Sequence, residues 1–360
     1  MGKPGAEASY IRRVLITAGI GAATLLLLLL LWQVWQVVLV FFAAVLFAVL
    51  LDGMTRIVRR ATRAPRLLGL GLVFGMLVVA IVGFAWVVGP QVSSQLSELG
   101  TRIPAAMEHI ASLLRQEAWG EALLETLPAP QEIVPPAAGI LGQISGVFST
   151  TLGAITNAVI IAVAGAYLAI EPRPYVNGVL RLLPIDRRAY GREVLRVLGR
   201  ALRWWLIGRI ASMVAVGLLT AVGLWLVDVP LVLALAFIAG LLSFVPYLGP
   251  ILSAIPALLV ALVASPLQAV YVVLVYSTVQ FLEGNFITPI IQERAVSLAP
   301  AVLLIAQLGM GVLFGLMGVL LATPLVVVVI VLIQMLYVRD VLGDTIRVLG
   351  QHEHSARDEG

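Results

Sequence analysis

Long apolar runs are the feature that most constrains how this chain of 360 residues folds. Residues 14–51 are almost entirely apolar, and as one helix they would measure about 57 Å. A bilayer core of about 30 Å takes about 20 helical residues, so this run predicts two crossings. The whole sequence agrees, because 61% of its residues are hydrophobic and only 12% are charged. The sequence therefore predicts an all-α, polytopic integral membrane protein.

The composition leaves little material for catalysis. The chain has no cysteine, which excludes disulfides and cysteine metal sites. Lys3 is its only lysine, which excludes a phosphate-binding P-loop. The three histidines lie far apart or in a polar tail, at His109, His352 and His354. We therefore expect no enzyme activity, no metal site and no cofactor.

Charged residues between the apolar runs predict the topology. The N-terminus and the stretch 52–66 are rich in basic residues, which places both in the cytoplasm. Residues 90–147 hold two arginines against six glutamates and are predicted to lie outside. Residues 171–206 hold eight arginines against three acids and again read as cytoplasmic. The predicted organisation is three N-terminal crossings with a cytoplasmic N-terminus (1–89), an outer helical segment (90–147), a fourth crossing and a basic helix (148–206), a translocation region (207–337) and a cytoplasmic polar tail (338–360).

Two apolar segments near the C-terminus, residues 230–263 and 299–335, are each too long for one simple crossing. Prolines interrupt the first segment, and glycines with one proline interrupt the second. Each segment is therefore either a re-entrant helical hairpin or one tilted, broken helix, within about eight hydrophobic segments in all. The alternatives differ in the side of the membrane that holds residues 284–298. Charge does not decide between them, because Glu293 balances Arg294.

Two stretches outside the crossings predict amphipathic helices. In the inner one, arginines share one helical face, which favours a helix lying on the cytoplasmic surface with its arginines at anionic lipid headgroups. We expect no nucleic-acid partner. The outer one carries an apolar stripe that needs a covering surface and motivates a predicted homo-oligomer; it consists of Leu96, Leu99, Ile103, Met107, Ile110 and Leu114.

The proline-rich part of the first long segment is the first candidate for a substrate or ion pathway. Broken membrane helices free backbone groups, which are tolerated mainly where they line a wet cavity or are buried in protein. Half-helix ends there would present carbonyls to a cation or amides to an anion. The alternative is a structural turn without a ligand. The candidate residues are Ser243, Pro246, Tyr247, Gly249, Pro250 and Ser253.

Glu283 is a second candidate, because an ionisable group at membrane depth is a functional hypothesis by default. Gln280, Asn285 and Pro289 lie close to it in sequence and complete the candidate set. The alternative is an interfacial carboxylate that reaches water. Arg209, just inside the fifth crossing, is either the counter-charge of Glu283 or a side chain that reaches cytoplasmic headgroups, and the second interpretation is favoured. Glu283 is the predicted carrier of a coupling charge.

Glycines four residues apart predict close helix packing. Gly311 and Gly315 have this spacing in the second long segment, and Gly71 and Gly75 repeat it in the third crossing. Packing is the favoured interpretation of both pairs. Proximity to a substrate is an additional hypothesis for Gly311 and Gly315 only.

The order of these features resembles the autoinducer-2 exporter family of bacterial membrane proteins. The resemblance covers nearly the whole chain and is carried by Phe244-Val-Pro-Tyr-Leu-Gly-Pro250, Pro256, Glu283-Gly-Asn-Phe-Ile-Thr-Pro289, Pro300, Gly311, Gly315, Gly318 and Pro324. It implies secondary transport without ATP and self-association. It also favours a cytoplasmic position after Glu283 and hence the hairpin alternative. Two departures are Gly208-Arg209, where relatives tend to have Gly-Gln, and Asp52-Gly53, where Asn-Pro is usual.

The function expected from sequence is export of a small polar solute, such as autoinducer-2, across the bacterial inner membrane, with both termini cytoplasmic. A monovalent cation/proton antiporter is the alternative. A membrane scaffold without transport activity is the alternative from another class.

Overall fold

The structure, a computed structural model, describes residues 35–115, 151–287 and 299–343. Every regular element in these ranges is a helix, which confirms the all-α fold. The predicted first crossing, most of the outer segment after residue 115, residues 288–298 with Pro289, and the tail beyond 343 lie outside the described residues. The helices are α1 (Trp35–Thr62), α2 (Arg66–Val87), α3 (Gly89–Leu114), α4 (Thr151–Ile170), α5 (Pro172–Arg181), α6 (Arg188–Leu226), α7 (Val232–Leu242), α8 (Leu248–Ala264), α9 (Pro266–Leu282) and α10 (Pro300–Leu332).

Within the described residues, five helical stretches are long and apolar enough to cross a bilayer: α1, α2, Ile185–Leu226, Pro266–Ile287 and Pro300–Arg339. The α4–α5 pair, bent by 82°, provides a sixth. The bend follows from the sequence, because a residue before proline is pushed out of the helical region, and Glu171 before Pro172 has φ −126° and ψ 74°. The chain is a multi-pass membrane protein.

Helix α6 differs from its prediction. The basic helix and the fifth crossing form one continuous helix of 39 residues, about 58 Å long, which exceeds a bilayer core by nearly a factor of two. The basic half therefore cannot lie flat on the membrane while the apolar half crosses it. No proline interrupts the stretch, so nothing in the sequence breaks the helix. Arg203 donates to Asp52 of α1 at 3.0 Å, and this arginine-rich end marks one end of the helix bundle.

The first long segment, α7 and α8, is a helical hairpin. At its start, Gln95 of α3 accepts a hydrogen bond from the Ala234 amide at 2.9 Å. At its end, Gln268 donates to the carbonyls of Val227 and Asp228, which directly precede the segment. Both ends of the segment therefore lie together, and the chain between them enters the bundle and returns.

The second long segment, α10, also reverses direction. At Gly315 the backbone has φ 61° and ψ −147°, which is not helical. Gln307 donates to Thr323 at 3.3 Å, although 16 residues of straight helix would separate the two by about 24 Å. Although its length and composition suit one span, Pro300–Arg339 is therefore a second helical hairpin.

The two hairpins enter the bundle from opposite ends. The first opens at the C-terminal end of α6, and its tip reaches Arg209 in the middle of that helix. The second opens at the arginine-rich end, where Arg339 pairs with Glu193 at 3.2 Å. Its tip reaches the start of α1, where Phe314 stacks on Trp35 with ring centroids 4.8 Å apart. Helix α6 passes both hairpins and is the common support of the bundle.

The outer apolar stripe is covered within its own chain. Leu99 of α3 is 3% exposed and packs in one cluster with residues of the first hairpin, including Leu235 and Val260. Leu96 and Ile103 pack against the same cluster. The side chains of Met107, Ile110 and Leu114 lie outside the described residues. In its described part the stripe is therefore an internal surface, and the expectation that it serves as a contact between chains is wrong there.

Candidate translocation site at the tip of the first hairpin

The tip of the first hairpin consists of residues 243–247. Helix α7 ends with hydrogen bonds from the Phe244 and Val245 amides back to its last turn. Tyr247 then adopts φ 65°, a left-handed value that turns the chain into α8. Gly249 follows because a Cβ there would lie 1.9 Å from the Leu242 carbonyl oxygen. The tip is therefore a tightly specified turn rather than a loose loop.

A buried ion pair lies directly beside this tip. Arg209 of α6 donates through Nε to the Phe244 carbonyl at 3.0 Å, and its Nη1 lies 3.4 Å from Oε1 of Glu283. The hydroxyl of Ser212, one turn further along α6, donates to the same carboxylate oxygen. The side chains of Arg209 and Glu283 are only 13% and 10% exposed. One guanidinium thus joins α6, the hairpin tip and the end of α9.

This geometry corrects the favoured interpretation of Arg209. The guanidinium does not reach towards the arginine-rich end and its lipid headgroups, because both of its observed partners lie inside the bundle. Glu283 is likewise buried in the bundle and does not reach water. The backbone explains its position, because α9 continues as a π-helical turn at Glu283–Ile287. Such turns widen a helix locally and are frequent at functional sites.

The hydroxyls of the proline-rich stretch are used locally. Ser243 is fully buried and donates to the Gly240 carbonyl at 2.8 Å. Ser253 donates to the Pro250 carbonyl at 3.0 Å, and its own carbonyl accepts from Tyr276. The bond from Ser243 satisfies a carbonyl in the last turn of α7, and the bond from Tyr276 joins α8 to α9. Both serines therefore shape the hairpin and do not contact the ion pair.

The other predicted residues lie around the site with different exposures. Pro246 and Pro250 are partly buried, and Tyr247 is 44% exposed at the tip. Gln280 is half-buried one turn before Glu283. Asn285 is exposed and donates to the Phe281 carbonyl of its own helix at 2.9 Å. Pro289 lies outside the described residues.

The paired glycines have separate positions. Gly315 forms the tip of the second hairpin, and a Cβ on Gly311 would lie 2.9 Å from the Val319 side chain, so close packing explains Gly311. A Cβ added at Gly71 or at Gly75 would meet no heavy atom within 4 Å among the described residues. The described residues therefore do not show Gly71 or Gly75 in close contact with another helix of the chain.

Two contributors were missed from the sequence: the Ser212 hydroxyl and the Phe244 carbonyl. Ser212 follows Arg209 by three residues, so it lies on the same helical face, and this spacing was an available signal. The Phe244 carbonyl gave no signal, because a backbone oxygen is identified only by the course of the chain. The assembled site offers a guanidinium, a carboxylate, a hydroxyl and a helix-end carbonyl to a polar ligand.

Comparison with known proteins agrees with this architecture. The chain is 29% identical to the putative transport protein YrrI of Bacillus subtilis, over 72% of this chain and 75% of the relative. It is 24% identical to the AI-2 transport protein TqsA of Escherichia coli, over 82% of this chain and 84% of the relative. The family model for AI-2E family transporters matches residues 22–337. Because that match spans most of the sequence, the chain belongs to the AI-2E transporter family.

Proposed function

We propose that this membrane protein is a secondary transporter that exports a small polar solute through a path beside the tip of the first hairpin. The observation that carries the proposal is the buried Arg209–Glu283 pair, bonded to the hairpin tip through Phe244. Charges at membrane depth are costly and are found mainly on pathways for substrates or ions. Because Arg209 also bonds to the hairpin tip, the charged pair is linked to an element that enters from one side of the membrane.

The paired hairpins support transport over a scaffold role. Each breaks a helix inside the bundle, which requires new partners for the freed backbone groups. Two such breaks, entering from opposite ends, place half-helix ends inside the bundle. A scaffold gains nothing from this cost. In transporters, such half-helix ends surround the binding site near the middle of the membrane.

Autoinducer-2 is the leading solute within this proposal. The relative TqsA is named as an AI-2 transport protein, and a small hydroxylated solute would find both donors and acceptors at the Arg209–Glu283 site. The guanidinium donates, whereas the carboxylate and the Phe244 carbonyl accept. No other ionisable side chain is hydrogen-bonded to this pair among the described residues.

Monovalent cation/proton antiport is the second candidate. The observation that favours it is that the Glu283 carboxylate and the Phe244 carbonyl at the end of α7 both bond to Arg209, so two oxygens that suit a cation lie on either side of one positive group. Glu283 would then be the coupling group. The ion pair with Arg209 counts against this candidate, because the carboxylate is already compensated.

Orientation, location and assembly complete the proposal. The arginines that end α1, together with those on the first half of α6, support cytoplasmic termini in the inner membrane by the positive-inside rule and would contact anionic headgroups. Self-association is proposed from the family resemblance, without the Leu99 stripe as its interface.

Purified protein in liposomes tests the proposal. We expect faster release of enclosed autoinducer-2 than from protein-free liposomes, and no flux of sodium or protons when gradients of these ions are imposed alone. Ion flux without solute flux would favour antiport. If folded protein shows neither solute flux nor ion flux, the scaffold alternative is favoured.

A further inference from the structure

Three oxygen atoms of different origin lie beside the hairpin tip: a backbone carbonyl, a carboxylate oxygen and a hydroxyl. The Phe244 carbonyl accepts from Arg209 Nε, Glu283 Oε1 lies 3.4 Å from Arg209 Nη1, and the Ser212 hydroxyl bonds to the same carboxylate oxygen. Carbonyl, carboxylate and hydroxyl oxygens are the ligands that small monovalent and divalent metal cations prefer. The oxygens therefore have the chemistry of a cation site. The positive charge between them is the guanidinium of Arg209.

The charges of the site are balanced by Arg209. Glu283 contributes one negative charge, and the Phe244 carbonyl lies just past the C-terminus of α7, where the helix dipole adds about half a negative charge. The guanidinium contributes one positive charge. Without it, a buried carboxylate and a helix end of the same sign would face each other, which is unfavourable in a poorly hydrated interior.

We propose that the Arg209 guanidinium is a tethered cation, occupying the position that an exchangeable monovalent cation would otherwise take between Glu283 and the hairpin tip. This inference deepens the proposed transport function and rests on it. The first hairpin is held closed against α6 without a bound ion, so movement of solute in this chain is independent of sodium. Arg209 thereby determines the coupling of the transporter and excludes cation/proton exchange at Glu283.

The test replaces the tethered cation and looks for a free one. Arg209→Gln removes the charge, and its thermal unfolding is compared in sodium chloride and choline chloride at equal ionic strength and a pH of about 8, where ordinary carboxylic acids are ionised. Sodium at about ten times its dissociation constant is expected to raise the melting temperature of Arg209→Gln by a few degrees. The parent and Arg209→Lys should show no such shift.

Two controls locate the effect. Arg203→Gln removes an arginine from the same helix that pairs with Asp52 at the arginine-rich end, and it should gain no sodium dependence. The double variant Arg209→Gln/Glu283→Gln lacks the carboxylate and should lose the sodium shift. If Arg209→Gln folds only when sodium, potassium or low concentrations of guanidinium are present, that rescue supports the proposal equally.

Three results would overturn the inference. The first is an Arg209→Gln variant whose stability is the same in sodium and choline. The second is an Arg209→Gln variant that stays unfolded in the presence of every small cation tested. The third is a parent protein with a sodium shift that Glu283→Gln abolishes. The unfolding measurement needs no transport, so a sodium shift in Arg209→Gln beside a parent that moves no solute would contradict the proposed function alone.

Discussion

Arg209 and Glu283 are the two side chains on which the proposed transport path depends. Each carries a charge inside an apolar bundle, and each is nearly buried. Their attraction compensates for lost hydration only while both partners are present. The pair is therefore best understood through what happens when one member is removed.

Glu283→Gln should destabilise the protein more than removal of both partners. The single change leaves a buried guanidinium without its carboxylate, which costs about 3–5 kcal/mol. Arg209→Gln/Glu283→Gln should recover part of that loss, because neither charge remains. Unfolding by denaturant in detergent measures both. The exposed Glu193–Arg339 pair is the control, since Glu193→Gln should change stability by less than about 1 kcal/mol. If the losses of unfolding free energy from the single changes at Arg209 and Glu283 simply add in the double variant, the two side chains do not interact.

Sequence reasoning found both members of the pair and named their pairing, but as the less favoured alternative. Arg209 and Glu283 stood out because charged residues are rare in apolar runs. Their contact spans 74 positions and depends on how α9 returns along α6, which no local pattern encodes. Arginines near the end of a membrane crossing generally contact headgroups. This preference led to the wrong partner for Arg209, which bonds to Glu283.

At the scale of single elements, the hairpins are set by local chemistry. Prolines and Gly249 form the first tip, and Gly315 forms the second. The sequence identified both segments as too long for one crossing and named both alternatives. The residue pattern alone did not choose between them, because a broken helix and a hairpin use the same residues; only the family resemblance favoured the hairpin. The contacts that distinguish them, such as Gln307 with Thr323, connect positions on either side of the break.

Gly315→Ala should strain the second tip. Its backbone lies in a region that is essentially reserved for glycine, so an alanine there is expected to cost about 1–3 kcal/mol. Gly309→Ala is a matched control on the same segment, because a Cβ at that helical position meets no atom within 4 Å. It should be neutral or stabilising by up to about 1 kcal/mol. Equal effects of the two changes on thermal unfolding would argue against a tip at Gly315.

Cross-linking tests the reversal of α10 directly. Cysteines at Gln307 and Thr323 should be joined by a short thiol-reactive linker within one chain, since their side chains are in contact. The native chain has no cysteine, so no background reaction is expected. If only linkers longer than about 20 Å join positions 307 and 323, α10 is a continuous helix.

For the whole molecule, α6 connects two groups of helices. One cluster combines the outer half of α6 with α3, α9 and the first hairpin. The other combines the arginine-rich half of α6 with α1 and the second hairpin. The sequence predicted the crossings from length and charge, but not this division. The prediction of a separate surface helix was wrong, because amphipathicity alone does not distinguish a helix that lies on a membrane from one that projects from it.

Labelling of single cysteines tests the arrangement of the hairpins in the membrane. With the first hairpin opening outwards, α9 returns to the cytoplasm, so a cysteine at the exposed Asn285 should react from the cytoplasmic side. Leu267 lies at the mouth of the first hairpin and is 59% exposed, so Leu267→Cys should react from the opposite side. Labelling of both positions from one side would contradict the hairpin.

Solute flux through protein that lacks the buried pair tests the proposed transport path most directly. Parent protein, Arg209→Gln/Glu283→Gln and the exposed-pair control Glu193→Gln/Arg339→Gln are reconstituted at equal amounts, and release of enclosed autoinducer-2 is followed. Because the buried pair is proposed to line the path, we expect fast release from the parent and the exposed-pair control, and release no faster than from protein-free liposomes for the buried-pair variant. A folded buried-pair variant that releases the solute as fast as the parent would contradict the account.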